Sequence, residues 1–345
     1  MTSSRLLPLA FTRRSLFASP LTFLIPRLNA SPNEYRFHHD HVLGTSLDLV
    51  VYGATRESEA AAVHAAVFDE LSRLSKILST YDPSSEISRF NAQGGRGKCS
   101  QDLFRVLDAY DSWQQRTSGA ISARIGGMEA RLNVDALGKA YIADRAVLAA
   151  RQAVPGIAGL LLNIGGDIVV RGGVPQTIGV ADPAARADNA PPLAELRLTD
   201  RAIATSGTSE RGYHILDPRT GFPATGAANA TVIARDSVTA NALATALCVL
   251  TPEDGLRLVD RTPDAAAILS ARNGAVLRSL RFAAYEQPLR VIPVQAAANW
   301  QPGYEVAVTL ILKEIQGYRV RRPYIAVWAE DSAGKLVRNI AVWAN

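Results

Sequence analysis

Cysteine is nearly absent from this chain: there are two in 345 residues. Cys99 follows the loop-like run Gly94-Gly-Arg-Gly-Lys98, and Cys248 lies inside the apolar run Ala246-Leu-Cys-Val-Leu250. Cysteines so placed build neither a disulfide framework nor a metal site, and Cys248 reads as a small buried hydrophobe. They leave the redox compartment open. Zinc-ligand spacing, a helix-turn-helix signal, a heptad seam, internal repeats and long low-complexity tracts are also missing. No Gly-x-Gly-x-x-Gly turn follows the first strand, which speaks against a doubly wound nucleotide fold. Charge of one sign is scarce as well. Lys and Arg number 37 against 32 Asp and Glu, a net charge of +5. The arginines are spread along the chain, so mild affinity for anions is expected and a nucleic-acid partner is not.

What is present is a globular composition, 48% hydrophobic and 20% charged, enough for a sizeable core. The N-terminus places Arg13-Arg14 in Phe11-Thr-Arg-Arg-Ser-Leu-Phe17, ahead of the short apolar run Ala18 to Ile25, with no acid before Glu34. Residues 1–30 therefore read as a twin-arginine export signal, and a periplasmic or otherwise exported location is expected. The apolar run is too short to span a membrane, and no cysteine follows it to carry a lipid.

Periodicity gives a strand over Val42 to Tyr52 and a long helix over Glu57 to Leu78, then a polar loop over Ser79 to Lys98. Further helices are expected over Asp102 to Arg116, Lys139 to Ala153, Ser237 to Leu250 and Glu253 to Asp260. Short strands are expected at Leu160 to Asn163, Ile168 to Arg171, Gln176 to Val180, Ala194 to Leu198 and Ala230 to Ala234. A hairpin over Ala265 to Leu280 turns at Arg272-Asn-Gly274. Neighbouring strands without regular helical crossovers imply an α+β class with mainly antiparallel sheets and flanking helices. Residues 38–285 form this domain, 286–302 a linker, and 303–345 a partial β-rich segment that ends directly after an apolar strand.

Five clusters carry candidate chemistry. Ala204-Thr-Ser-Gly207 reads as a hydroxyl-rich glycine turn, close before Tyr213-His-Ile-Leu-Asp-Pro-Arg-Thr-Gly221; Asp-Pro-Arg-Thr-Gly is also ordinary turn chemistry. Ser79 to Asn91 brings Tyr81, able to stack on a planar ring, next to Ser84 or Ser85, able to cap a helix. In Asn133-Val-Asp-Ala-Leu-Gly-Lys-Ala-Tyr-Ile-Ala-Asp144, Lys139 opens a helix where an ammonium can meet a phosphate, and Asp144 can pair with it. Asn163-Ile-Gly-Gly-Asp167 allows close backbone approach or is a strand-end turn. Asn241 and Thr245 share a helix face, where two oxygens suit a hard cation such as Mg2+ or simply satisfy a core helix.

Taken together, in this order and spacing, these pieces resemble the ApbE-type FAD:protein FMN transferases from about residue 42 to 280, with Leu43-Gly-Thr45 as a further match. The segments Arg321 to Trp328 and Val337 to Trp343 resemble the start of a β-rich domain of unknown function found fused behind this family. The resemblance implies an ApbE-like, T-fold-like domain and Mg2+-dependent transfer of FMN from FAD, its substrate, to a Thr or Ser hydroxyl of an acceptor protein, with release of AMP. The acceptor can be membrane-bound. By position, Leu43, Tyr81, Ala120, Ile121, Ser122, Asn133, Lys139, Thr205, Ser206, Gly207 and Ile215 would bind the flavin nucleotide. His214 would be the catalytic base, and Ala136, Asn241 and Thr245 would hold the metal.

Three departures from the family pattern bear on the metal. Asn241 and Asn133 stand where the family usually has aspartate, and Ser122 replaces an acid after Gly119-Ala-Ile. A neutral amide keeps an oxygen but loses a charge, so weaker Mg2+ binding is expected, with Asn241→Asp lowering the Mg2+ requirement. The alternative is a periplasmic protein that binds FAD without transferring it. An oxidoreductase fits less well, because no second nucleotide motif is present.

Overall fold

The structure is a computed structural model that describes residues 33–125, 131–183, 192–207 and 215–288, together with strands at 325–330 and 336–343. In chain order, β1 (Glu34–Val42) and β2 (Thr45–Tyr52) precede α1 (Glu57–Leu78), α2 (Glu86–Ala92), α3 (Gln101–Arg116) and α4 (Asp135–Ala153). Then come β3 (Gly159–Ile164), β4 (Asp167–Gly172), β5 (Gln176–Val180), β6 (Ala194–Leu198), β7 (Arg201–Gly207) and β8 (Asn229–Ala234). Helices α5 (Ser237–Val249) and α6 (Pro252–Arg261) are followed by β9 (Ala266–Ser270), β10 (Val276–Arg278) and β11 (Glu286–Gln287), and β12 (Ile325–Glu330) pairs with β13 (Leu336–Trp343) in a separate hairpin.

Eight strands form one antiparallel sheet in the order β1-β2-β3-β4-β7-β8-β9-β10, and β11-β6-β5 form a second, three-stranded sheet. Side chains alternate across the large sheet, because successive residues of a strand point to opposite faces. Leu47, Leu49, Leu160, Leu162, Val169, Ala202, Ala204, Val232 and Leu269 pack with the helices. Val50, Leu161, Ile168, Val170, Ile203, Ile233 and Ile268 meet Ile178, Val180, Leu196 and Leu198 of the small sheet, with Phe282 between. The result is three layers: helices, large sheet, small sheet. Both faces of the central strands are buried, which is why they read as nearly continuous apolar runs.

Helix α1 buries Ala60, Val63, Val67, Leu71, Leu74 and Leu78, a stripe at three- and four-residue spacing. Each buried Leu or Val contributes about 1.5–3 kcal/mol relative to exposure. Four of the six described α-helices have a side-chain cap at their start. Ser85, Ser100, Asp236 and Thr251 accept from the backbone N–H three residues on.

The α+β class, the antiparallel sheets and most elements match the sequence reading, and four local readings change. Strand β1 goes unread because it is an edge strand whose segment His38-His-Asp-His41 is polar; pairing with β2 organises it. Ser79 to Lys98 contains α2, short and capped by Ser85. Helix α4 starts at Asp135, four residues before Lys139. Ala204 to Gly207 is the end of β7 rather than a turn, held by pairing with β8. Among the described residues no helix is long and apolar enough to cross a membrane. The export signal, most of the linker and most of the β-rich segment expected over 303–345 lie outside the described residues.

Candidate active site

Two tight turns meet at one end of the large sheet. Val42 pairs with Thr45 across Leu43-Gly44, whose φ angles are 50° and 77°. Ile164 pairs with Asp167 across Gly165-Gly166, at 55° and 93°. Two consecutive left-handed residues match the right-handed twist of the flanking strands. Leucine accepts this strain at position 43. Gly165 cannot be replaced, since a Cβ there would collide with the Thr45 side chain. The backbone N–H of Gly165 donates to Ser46 O at 3.1 Å, so Leu43 is carried on a turn docked beside Gly165.

Asp167, the first residue of β4, faces the helical layer and is 2% exposed. Lys139 Nζ reaches its Oδ2 at 2.8 Å from the second turn of α4. From α5, Asn241 Nδ2 donates to both carboxylate oxygens, at 3.2 and 3.4 Å. Asn241 Oδ1 is left buried without a hydrogen-bond partner. One turn along α5, Thr245 Oγ1 lies 3.3 Å from Ser206 Oγ at the end of β7. Cys248 Sγ reaches Ser206 O at 3.5 Å, and burial pushes its thiol up to about 12, so it is a packing group rather than a nucleophile.

The remaining predicted residues gather near this cluster in part. Ala136 is exposed in the first turn of α4. Asn133 Oδ1 accepts from Asp135 N at 2.9 Å, which closes the start of that helix, and the Asp135 carboxylate accepts from Thr80 Oγ1. Thr80 thereby places Tyr81, 73% exposed, beside the α4 N-terminus. Ala120 packs with Ala224, Val249 and Ile215, whereas Ile121 is buried in the main core. Ser122 Oγ accepts from Arg124 N. Gly207 ends β7 where a Cβ would lie 2.8 Å from Asn229 Nδ2. His214 lies outside the described residues.

Three expectations are corrected. Lys139 does not open a helix, because Asp135 to Gly138 already form its first turn. Asp144 does not pair with Lys139: five helical positions turn the side chain about 140° away, off the shared face of three- and four-residue neighbours. Asp144 instead accepts from Ser237 N at 3.0 and 2.9 Å and from Val238 N at 3.3 Å, at the start of α5, with Arg171 3.6 Å away. Thr205 is not brought to α5 with Ser206. It points to the opposite sheet face, where its Oγ1 lies 2.9 Å from Thr231 Oγ1. Sequence reasoning missed Asp167 as a site residue. Its only signal is an acid directly after Gly165-Gly166, and its partners come from α4 and α5.

The donor set suits a small, hard cation beside phosphates. It offers an unpartnered amide oxygen, a hydroxyl and one carboxylate, all oxygens, with a single ammonium. Among the described residues no cluster of three or more His, Cys, Asp or Glu could hold a metal, so acids alone do not make this site.

The chain is thus a layered antiparallel α+β domain with a Lys–Asp–Asn cluster at one end of its central strands. The chain belongs to the ApbE family, whose model matches residues 43–130 and 124–269. An FAD:protein FMN transferase of Klebsiella pneumoniae (strain 342) is 33% identical over 183 residues, 49% of this chain and 55% of that protein. The match thus spans about half the length of that relative. One of Treponema pallidum (strain Nichols) is 26% identical over 306 residues, covering 66% of this chain and 82% of that one. The crystal structure of the ApbE protein from Thermotoga maritima superimposes with a TM-score of 0.66 at 25% identity, over 74% of this chain and all of that one. The flavin transferase ApbE from Vibrio cholerae shares the fold, with a TM-score of 0.61 at 19% identity, covering 73% of this chain and 99% of that one.

Proposed function

We propose that this chain is an FAD:protein FMN transferase. The observation that carries the reading is the unpartnered Oδ1 of Asn241, buried beside Asp167 and one turn from Thr245, in a chain whose relatives carry that name. In the proposed reaction the hydroxyl oxygen of an acceptor threonine or serine attacks the FMN phosphorus of FAD. The bond from that phosphorus to the bridging oxygen breaks, and AMP leaves with that oxygen. His214, by its place in the family pattern, takes the hydroxyl proton. Such a transfer needs positioning and neutralisation of charge more than covalent chemistry from the protein. Lys139 holds the phosphates, and Tyr81 offers an exposed ring for stacking. Mg2+ bound through the Ala136 carbonyl, Asn241 Oδ1 and Thr245 Oγ1 would neutralise the pyrophosphate.

The test is incubation of the full chain with FAD, Mg2+ and a threonine- or serine-bearing acceptor protein. Intact-mass analysis is expected to show the acceptor gaining one FMN, with AMP released in equal amount. The neutral side chain of Asn241 favours a second reading, an FAD-binding protein without transfer. Saturable FAD binding with an unmodified acceptor at every Mg2+ concentration would select it. We also propose export through Arg13-Arg14, with residues 303–345 as part of a second, β-rich domain and an acceptor outside the cytoplasm, free or membrane-bound. Cell fractionation of the chain against an Arg13→Lys/Arg14→Lys variant tests export. Retention of both in the cytoplasm would refute it.

A further inference from the structure

The side-chain amide of Asn241 can face either way, and the two orientations have opposite effects. One offers an oxygen to a cation, and the other offers N–H groups that repel it. Here Nδ2 donates to both oxygens of Asp167, which turns Oδ1 the other way, buried and without a partner. Asp167 is itself held fast. It is 2% exposed, and Lys139 Nζ lies 2.8 Å from Oδ2. Its backbone starts β4 directly after the Gly165-Gly166 turn. Asn163 Oδ1 accepts from Gly166 N at 3.0 Å, and Asn163 Nδ2 donates to Asp48 Oδ2 at 3.1 Å.

We propose that Asp167 is a positioning residue for the reaction: its carboxylate locks the Asn241 amide with oxygen toward the cation and phosphates. The inference rests on the transferase reading and extends it to a residue that meets the cation only through its neighbour.

The test is the Mg2+ dependence of FAD binding by the full chain without acceptor, followed by flavin fluorescence. In Asp167→Asn the new amide can donate to Asn241 Oδ1 and turn it, so the Mg2+ midpoint is expected to rise about tenfold or more. The exchanged pair Asp167→Asn/Asn241→Asp restores one carboxylate–amide contact with an oxygen facing outward. Its midpoint is expected within about threefold of wild type. Lys139→Gln is expected to weaken FAD binding at every Mg2+ concentration without moving the midpoint. A wild-type midpoint in Asp167→Asn, or an exchanged pair no better than Asp167→Asn, would overturn the proposal. So would a midpoint shift in Lys139→Gln as large as that in Asp167→Asn.

A readout independent of FAD is the Asn241 side-chain amide resonance, assigned by its loss in Asn241→Ala. Its protons are expected to be protected from solvent exchange in wild type and to lose protection in Asp167→Asn. Unprotected protons in wild type would refute the geometry. If the protons are protected but no FAD binds at any Mg2+ concentration, the transferase reading fails instead, and the positioning role falls with it.

Discussion

Strand β4 carries Asp167 at one end and Arg171 near the other, with Ser206 and Arg201 of β7 beside them, and the two ends differ in which groups surround the charge. Asp167 opens β4 and Arg171 lies four residues on, about 13 Å along the strand. At the Arg171 end the charged groups satisfy one another, although Ser237 Oγ is buried there without a partner. Arg171 donates to Val170 O and Arg235 O, Asp144 receives the first N–H groups of α5, and Arg201 reaches Tyr285 Oη. These groups border a cavity of about 720 Å³ lined by four arginines and three aspartates. At the Asp167 end one acid and one ammonium are paired, and Asn241 Oδ1 and the Ser206 and Thr245 hydroxyls keep acceptor capacity. Buried polar atoms are rarely left unsatisfied without a reason. The Arg171 end holds α4 and α5 in place through the Asp144 carboxylate, and the Asp167 end, with an amide oxygen and two hydroxyls around a paired acid, is where a ligand has something to complete.

The comparison breaks most sharply at Lys139. Lys139→Met leaves the Asp167 carboxylate buried without its cation and should cost about 3 kcal/mol in urea unfolding. Lys139→Met/Asp167→Asn should recover at least half of that loss. If the single variant is as stable as wild type, Asp167 does not depend on Lys139 for its counter-charge.

The next effect belongs to the other end. Burial pushes the Asp144 carboxyl up to about 6, against the downward pull of the Ser237 N–H and Arg171. The folded protein therefore keeps this proton up to about pH 6, whereas the unfolded chain releases it near 3.8. Between those values the native state binds more protons, so stability falls as pH rises, by roughly 2–3 kcal/mol. Asp144→Asn should remove that slope, and an identical slope in the variant would assign it elsewhere.

Asn241→Asp brings two carboxylates into contact. It should lower stability in EDTA by about 1–2 kcal/mol, and Mg2+ should restore it and bind at lower concentration than in wild type. Equal melting temperatures with and without Mg2+ would contradict this. Smallest of all, Asp264→Asn loosens only a long contact between a half-exposed carboxylate and Arg201, 3.9 Å away. Less than about 1 kcal/mol should be lost, with FAD binding unchanged.

The elements whose burial is one-sided or complete were legible. Helix α1 and strands β5 and β6 fall where their apolar spacing puts them, since period and hydrophobicity are local properties. Strand β1 was not, because its alternation is polar and it is ordered by a neighbour. Thr205 and Ser206 were legible as hydroxyls but not as opposites. Which face each takes depends on β7 being a strand between β4 and β8.

The chain order of the motifs by itself determined the family and the fold class, and it singled out Lys139, Asn241 and Thr245. Those facts depend on residue type and spacing. Only the tertiary structure decided that Lys139 pairs with Asp167 rather than Asp144, and that the oxygen of Asn241 is the atom left free. Both depend on antiparallel α4 and α5 crossing the ends of β4 and β7. That geometry brings together positions 28 and 74 residues from Asp167 along the chain, at a range that sequence spacing does not encode.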